Sequence, residues 1–150
     1  MARFTTDIDV ALPAAEVFAY LADFSNAQDW DPGVATAVRL DDGPVTVGSR
    51  FALDLAVGSS TQRWTYVTEV HEVPTRVRFA TSGRFAEGAD DIGVVARGDG
   101  ACTIEWDARF GFTGLGRLID PLFQLAFNRI AGKAVDGLRR KMRELESAAA

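Results

Sequence analysis

Leu115–Leu145, LGRLIDPLFQLAFNRIAGKAVDGLRRKMREL, is the stretch that decides the architecture of this 150-residue chain. Apolar residues recur in it at Leu115, Leu118, Leu122, Ala126, Ile130, Ala134, Leu138, Met142 and Leu145. They stand three or four positions apart, the spacing that lines one face of a helix. Pro121 suits the first helical position, where its missing N–H is no loss, and Asp120 stands where a capping residue is expected, after a short turn. From Pro121 to Glu146 such a helix is about 39 Å long at ~1.5 Å per residue, so a broad layer must lie beneath it. Its first half, with Leu122, Phe123, Leu125, Ala126 and Phe127 nearly contiguous, reads as the more deeply buried.

The broad layer is written upstream. Phe4, Thr6, Ile8 and Val10 alternate with Arg3, Thr5, Asp7 and Asp9, the period of a half-buried strand. Pro13 then opens a short helix with Val17, Phe18, Leu21 and Phe24 on one face, and Ser25-Asn26-Ala27-Gln28 has the spacing of a capping box for a second. Trp30-Asp31-Pro32-Gly33 ends that helix, because proline disfavours helix at the residue before it. Six further strands are expected at 34–40, 50–57, 62–72, 76–81, 91–97 and 101–112, with 82–88 a loop and Gly98-Asp99-Gly100 a hairpin. Trp64, Tyr66, Thr68 and Val70 oppose Arg63, Glu69 and His71, and Cys102, Ile104, Trp106, Ala108, Phe110 and Phe112 oppose Thr103, Glu105, Asp107 and Arg109. The sheet therefore has one dry side, which the long helix covers, and one wet side. The expected class is α+β: a curved seven-stranded antiparallel sheet wrapped around the C-terminal helix, one domain over 1–150, with an Ala148–Ala150 tail that frays.

Hydrophobic residues at 47% and charged ones at 25% are ordinary globular values. A net charge of -5 disfavours a broad nucleic-acid or anionic-membrane surface, so no nucleic-acid partner is expected, and Arg139, Arg140, Lys141 and Arg143 read as a solvated helix end. One cysteine, Cys102, allows no intramolecular disulfide and no thiolate zinc cluster. With no apolar leader and no membrane-length apolar run, a cytoplasmic protein without integral membrane association is expected, as monomer or homodimer.

The order strand, two short helices, six strands, long helix resembles the helix-grip fold of the START-like (SRPBCC), polyketide cyclase/dehydrase and lipid-transport superfamily. Pro13–Phe24 is similar to that family's first helix, Trp30-x-Pro32-Gly33 to the turn after it, and Gly48 to a family position before a strand. The resemblance implies a pocket for an apolar or aromatic molecule between helix and sheet. Some members cyclise or dehydrate polyketide chains and others carry lipids.

On the expected dry face, Trp30, Trp64, Phe79, Trp106, Phe110, Phe123 and Phe127 offer an aromatic lining, and Tyr66, Thr68 and Thr81 offer polar contacts, Tyr66 first among them. Gly132 and Gly137 each cost about 1 kcal/mol in a helix interior. They imply either close packing on the short helices or, at Gly132, room for a ligand. Catalytic residues are not assigned. His71 is the only histidine and strand parity puts it on the wet face, while Trp30-Asp31 and Asp90-Asp91 are carboxylates near a pocket mouth that are ordinarily solvated. No metal-ligand spacing or phosphate loop is visible, so neither metal nor other cofactor is expected. Three functions fit: a binder of a small hydrophobic ligand, a cyclase or dehydratase using Tyr66 or a carboxylate for proton transfer, and an interaction module with a vestigial pocket.

Overall fold

Strand periodicity becomes a seven-stranded antiparallel sheet in a computed structural model that describes residues 1–150. The strands are β1 (Ala2–Val10), β2 (Val34–Arg39), β3 (Arg50–Val57), β4 (Ser60–Glu72), β5 (Arg76–Ser82), β6 (Ala86–Ala96) and β7 (Cys102–Phe112), in spatial order β1-β7-β6-β5-β4-β3-β2. Helices α1 (Ala14–Ala22) and α2 (Ala27–Trp30) separate β1 from β2 with a 3₁₀ turn between them, and α3 (Asp120–Ala149) closes the chain after a 3₁₀ turn at Gly114–Ile119. β6 begins five residues earlier than its sequence suggests. Ala86, Gly88 and Ala89 are too small to show a hydrophobic period, yet they pair residue for residue with Phe112, Phe110 and Arg109.

The sheet is open and not strongly curled, so the expected wrapping around the helix is corrected. β1 and β2 are free edges that do not meet, and α3 packs against β1, β7 and α2 instead of being embraced by all seven strands. Side chains of α3 clamp the β1 edge. Gln124 accepts from the Arg3 N–H and donates to the Arg3 carbonyl, both at 2.9 Å, Arg139 donates to the Asp7 carbonyl at 3.2 Å, and Glu146 accepts from the Ala11 N–H at 2.8 Å. Edge groups that would otherwise template another strand are thereby satisfied within the chain.

The depth of α3 is the reverse of the expected one. Its buried residues are Asp120, Phe127, Ala131, Ala134, Val135, Gly137, Leu138 and Met142, whereas Leu122 and Leu125 are 75% and 70% exposed. Leu115 and Leu118 in the preceding turn are 88% and 79% exposed. The physical reason lies in the spacing. Each four-residue step overshoots a turn of 3.6 residues by about 40°, so the unbroken fours from Leu118 to Met142 wind about 240° around the helix. The true core line alternates threes and fours, as an amphipathic face requires.

Three local expectations are also corrected. Asp120 does not cap α3; its carboxylate accepts from the Met1 amino group at 2.8 Å and the Phe112 N–H at 3.2 Å. The Ser25–Gln28 box does not form. Asp23 accepts from the Ser25 N–H at 3.1 Å, and Gln28 accepts instead from the Ala37 N–H at 3.2 Å. Ala148 and Ala149 are helical.

Candidate functional site

The inner face of the sheet, under the helices, is built row by row. Register places Thr68, Phe79, Asp90 and Ala108 across β4 to β7, with Val77, Ile92 and Trp106 in the next row toward α1 and Thr81, Gly88 and Phe110 in the next row the other way, here called the open end. Asp90 is thus the one carboxylic acid among apolar and threonine side chains on these rows. Trp106 Nε1 donates to its Oδ1 at 3.0 Å. Asp90 is half-buried on this inner face, in register with the buried Phe79 and Ala108.

A second carboxyl arrives from the short helix. α2 ends at Trp30 because Pro32 holds Asp31 extended, with φ −96° and ψ 110°, and Asp31 Oδ1 accepts the Gly33 N–H at 2.8 Å. Gly137 fixes this turn in place: a Cβ there would overlap the Trp30 carbonyl oxygen, so only glycine lets α3 lie directly on that backbone. The close-packing reading therefore holds for Gly137. At Gly132 a Cβ would meet nothing within 4 Å. Trp30 meets Trp106 edge to face, ring centroids 5.5 Å apart, which links the Asp31 turn to the Asp90 strand.

Burial dominates the electrostatics. It raises Asp90 to about 7, opposed by the Trp106 N–H and reinforced by the charge of Asp31, and it raises Asp31 to about 6 against the Gly33 N–H. Tyr66 is pushed up by burial first and then by the charges of Asp90 and Asp31. Its hydroxyl makes no hydrogen bond with either acid. Neither acid has a cation within ion-pair distance, although Asp41, Asp54, Asp91, Asp107 and Asp120 each have one. Such an arrangement can hold or move a proton near neutral pH.

The other expected site residues divide into two groups. Phe79 is fully buried beneath Phe24, rings stacked at 4.1 Å, and Phe24 also meets Tyr66 at 5.3 Å and Phe51 at 6.3 Å. Those rings are packed core. Thr81 donates to the Thr65 carbonyl at 2.7 Å, whereas Thr68 Oγ1 is buried with no partner at all. Toward the open end, Trp64, Phe110, Phe123 and Phe127 follow one another with centroids 5.8, 5.6 and 5.9 Å apart, and all but Phe127 are only half buried. His71 is displaced from the wet face. A bulge between Thr68 and Val70 reverses the alternation, so His71 pairs with Val77 and lies 5.4 Å from the Phe18 ring. Asp90 falls between the expected loop 82–88 and the expected strand 91–97, so sequence periodicity gives it no facing. The signal that finds it is the alternation Ala86, Gly88, Asp90, Ile92, Val94.

Two concavities, of about 740 and 530 Å³, lie on the outer face around Arg78, Glu87 and Arg109 and at the corner of Trp64 and Gly83. Neither lies under α3. No group of three or more His, Cys, Asp or Glu side chains is placed to hold a metal, and no helix is long and apolar enough to cross a membrane.

This fold recurs among solved structures. A START superfamily protein from Mycobacterium smegmatis superposes with a TM-score of 0.79 at 11% identity, covering 97% of this chain and 99% of its own. The Zhui aromatase/cyclase from Streptomyces sp. R1128 gives 0.77 at 13% identity, covering 99% and 95%. The di-domain aromatase/cyclase BexL of the BE-7585A biosynthetic pathway gives 0.73 at 17% identity, covering 93% of this chain and 46% of its own. At these identities the likeness is one of fold. No curated protein sequence matches the chain. The family model described as polyketide cyclase / dehydrase and lipid transport matches residues 1–143, and the chain belongs to that family.

Proposed function

We propose that the protein binds a small hydrophobic or aromatic molecule over the inner face of the sheet. Its apolar body lies against Trp64, Phe110 and Phe123, and its polar end points to Asp90, Asp31 and Tyr66. The observation that carries this reading is Asp90, a half-buried carboxyl on the inner face of the sheet that has one indole N–H and no cation as partner. Core packing alone gives no reason for such a group, because burying a carboxyl that has one neutral donor and no cation is costly. Family membership supports the same class of ligand. All three tryptophans of the chain, Trp30, Trp64 and Trp106, border the proposed site. Intrinsic fluorescence should therefore be quenched saturably by small aromatic ligands, and Phe110→Asp should weaken binding at least tenfold. An unchanged spectrum across a panel of such ligands would sink the proposal.

A second reading, an enzyme of the cyclase or dehydratase kind, is favoured by acids that titrate near neutrality. The ionised carboxyl removes a proton from carbon beside a carbonyl, and the protonated one or Tyr66 supplies a proton to the leaving or enolic oxygen. No electron changes hands. Asp90→Asn should then abolish turnover of an aromatic polyketide substrate. Turnover at the wild-type rate by both Asp90→Asn and Tyr66→Phe would exclude this role.

A further inference from the structure

The proposed site holds more acceptor capacity than donors that meet it. Asp31 and Asp90 each engage a single oxygen, with the Gly33 N–H and with Trp106 Nε1, and leave the other oxygen free. Tyr66 is 6% exposed, its hydroxyl feels the charges of both acids, and it has no hydrogen-bond partner. The other charges that reach Asp90 are Arg78 and Asp107, both on the outer face of the sheet and both already in ion pairs there. Neither carboxylate has a cation within ion-pair distance, and the one histidine on this side, His71, lies against the Phe18 ring in the Val77 row.

Complementarity narrows what such a surface can hold. An anion is repelled by both acids. A wholly apolar ligand leaves two carboxyl oxygens and a phenol desolvated without partners, the costly case. A hard metal cation needs six or more oxygen ligands or a tighter cluster, and no third His, Cys, Asp or Glu joins this pair. A protonated amine on an aromatic body meets each demand. Its N–H groups donate to the free oxygens of Asp31 and Asp90, its charge is balanced by the pair, and Trp30 and Trp106 stand beside it as cation–π partners. Its ring then lies toward Trp64, Phe110 and Phe123.

We infer that the site recognises an aromatic amine in its protonated form, held between Asp31 and Asp90, with Tyr66 as a further acceptor. The inference rests on the proposed small-molecule site and assigns its chemical class.

Matched probes separate the two. Tryptophan fluorescence and calorimetry are run at pH 8, where an alkylammonium stays protonated because such groups titrate at about 10.4. The ligands are 2-phenylethylamine, the isosteric neutral 2-phenylethanol and the anion 3-phenylpropanoate. The amine is expected to bind at least tenfold tighter than the alcohol, and the anion more weakly than either. Asp90→Asn and Asp31→Asn should each lower amine affinity at least tenfold and bring the amine-to-alcohol ratio toward one. Circular dichroism checks their fold, and if either variant is unfolded the wild-type ratio decides alone. Alcohol bound as tightly as the amine overturns the amine assignment and leaves the small-molecule site standing. Failure of all three probes to bind overturns both.

Discussion

Asp90 and Asp91 are chain neighbours that the sheet sends to opposite worlds. Asp91 points outward, accepts from Arg76 at 2.9 and 2.7 Å and from Arg78 at 3.3 Å, and those partners hold its carboxyl below the ordinary range. Asp90 points inward, has one neutral donor, and is raised by burial to about 7. The contrast extends over both faces. Outside, Arg3, Asp107 and Arg109 form one ion-pair ladder, Arg63 and Asp54 a second, and Arg76, Asp91, Arg78 and Glu69 a third. Inside, the only carboxyl on the strands' apolar rows is Asp90. Outer carboxylates are explained by partners that compensate them; the inner one is left uncompensated, and that is why function is sought there.

The largest effect expected from this contrast is a difference in sign. Because the folded state holds the Asp90 proton where the unfolded state has lost it, stability falls as pH rises from about 4 through about 7 and then levels. At about 1.4 kcal/mol per pH unit, reduced for the surface Asp90 keeps accessible, the loss is roughly 3 kcal/mol by pH 8. Asp90→Asn should therefore be more stable than wild type at pH 8 and close to it at pH 4, with a smaller slope remaining from Asp31. Asp91 works the other way: its lowered carboxyl contributes stability above the ordinary carboxylate range that is lost as pH falls through it. Asp91→Asn should be about 0.5–1 kcal/mol less stable at pH 8, the ordinary worth of a surface ion pair. Urea unfolding of the three proteins at pH 4 and 8 measures both. Two variants with the same sign at pH 8 would erase the distinction between the faces.

How far the sequence reveals this arrangement depends on which physical signal each part sends. Element order and strand parity were legible because burial on one face repeats every second residue, and Tyr66, Phe79 and Trp106 fall inward as alternation requires. Three features were hidden. The bulge at Glu69 adds one residue and reverses parity beyond it, which no alternation shows, so His71 changes sides. The start of β6 consists of Ala86, Gly88 and Ala89, residues without enough apolar surface to mark a strand, and with it went the facing of Asp90. Along α3 the apolar residues spaced by fours lie off the core at Leu122, Ala126 and Ile130 and reach it only from Ala134 on, while Gln124, which ties the helix to β1, looks like an ordinary surface residue and Asp120, which binds the Met1 amino group, reads as a cap. Gly137 and Gly132 read alike in sequence; only the approach of Trp30 distinguishes them.

A smaller effect tests the one donor that Asp90 has. Trp106→Phe removes the N–H that partly offsets burial, so the Asp90 midpoint should rise above about 7 by roughly one pH unit, the scale of a hydrogen bond to a charged group. Carbon-13 NMR of the Asp side-chain carboxyls resolves Asp90 and Asp91 in one titration. Asp91 serves as the internal control, since its partners are untouched. An Asp90 midpoint that stayed in place would mean that desolvation alone sets it and that the indole N–H is incidental.

The smallest effect asks whether the two faces are electrically separate. Arg78 belongs to the outer ladder, bonded to Glu69 at 3.0 Å and Asp91 at 3.3 Å, yet its charge also lowers Asp90 through the thickness of the sheet. Arg78→Gln should therefore raise both carboxyls. Asp91 should move more, because it loses a direct partner. Asp90 should move by a few tenths of a pH unit, as befits a unit charge acting across a sheet in a partly solvated medium. Salt sharpens the test, since the Debye length shrinks to about 3 Å at 1 M. A shift carried by charge from the partly exposed guanidinium should shrink there. A shift that persisted undiminished would instead show that Arg78 holds the β5–β6 backbone in register, and that Asp90 owes its environment partly to the outer ladder's geometry and not to its own burial alone.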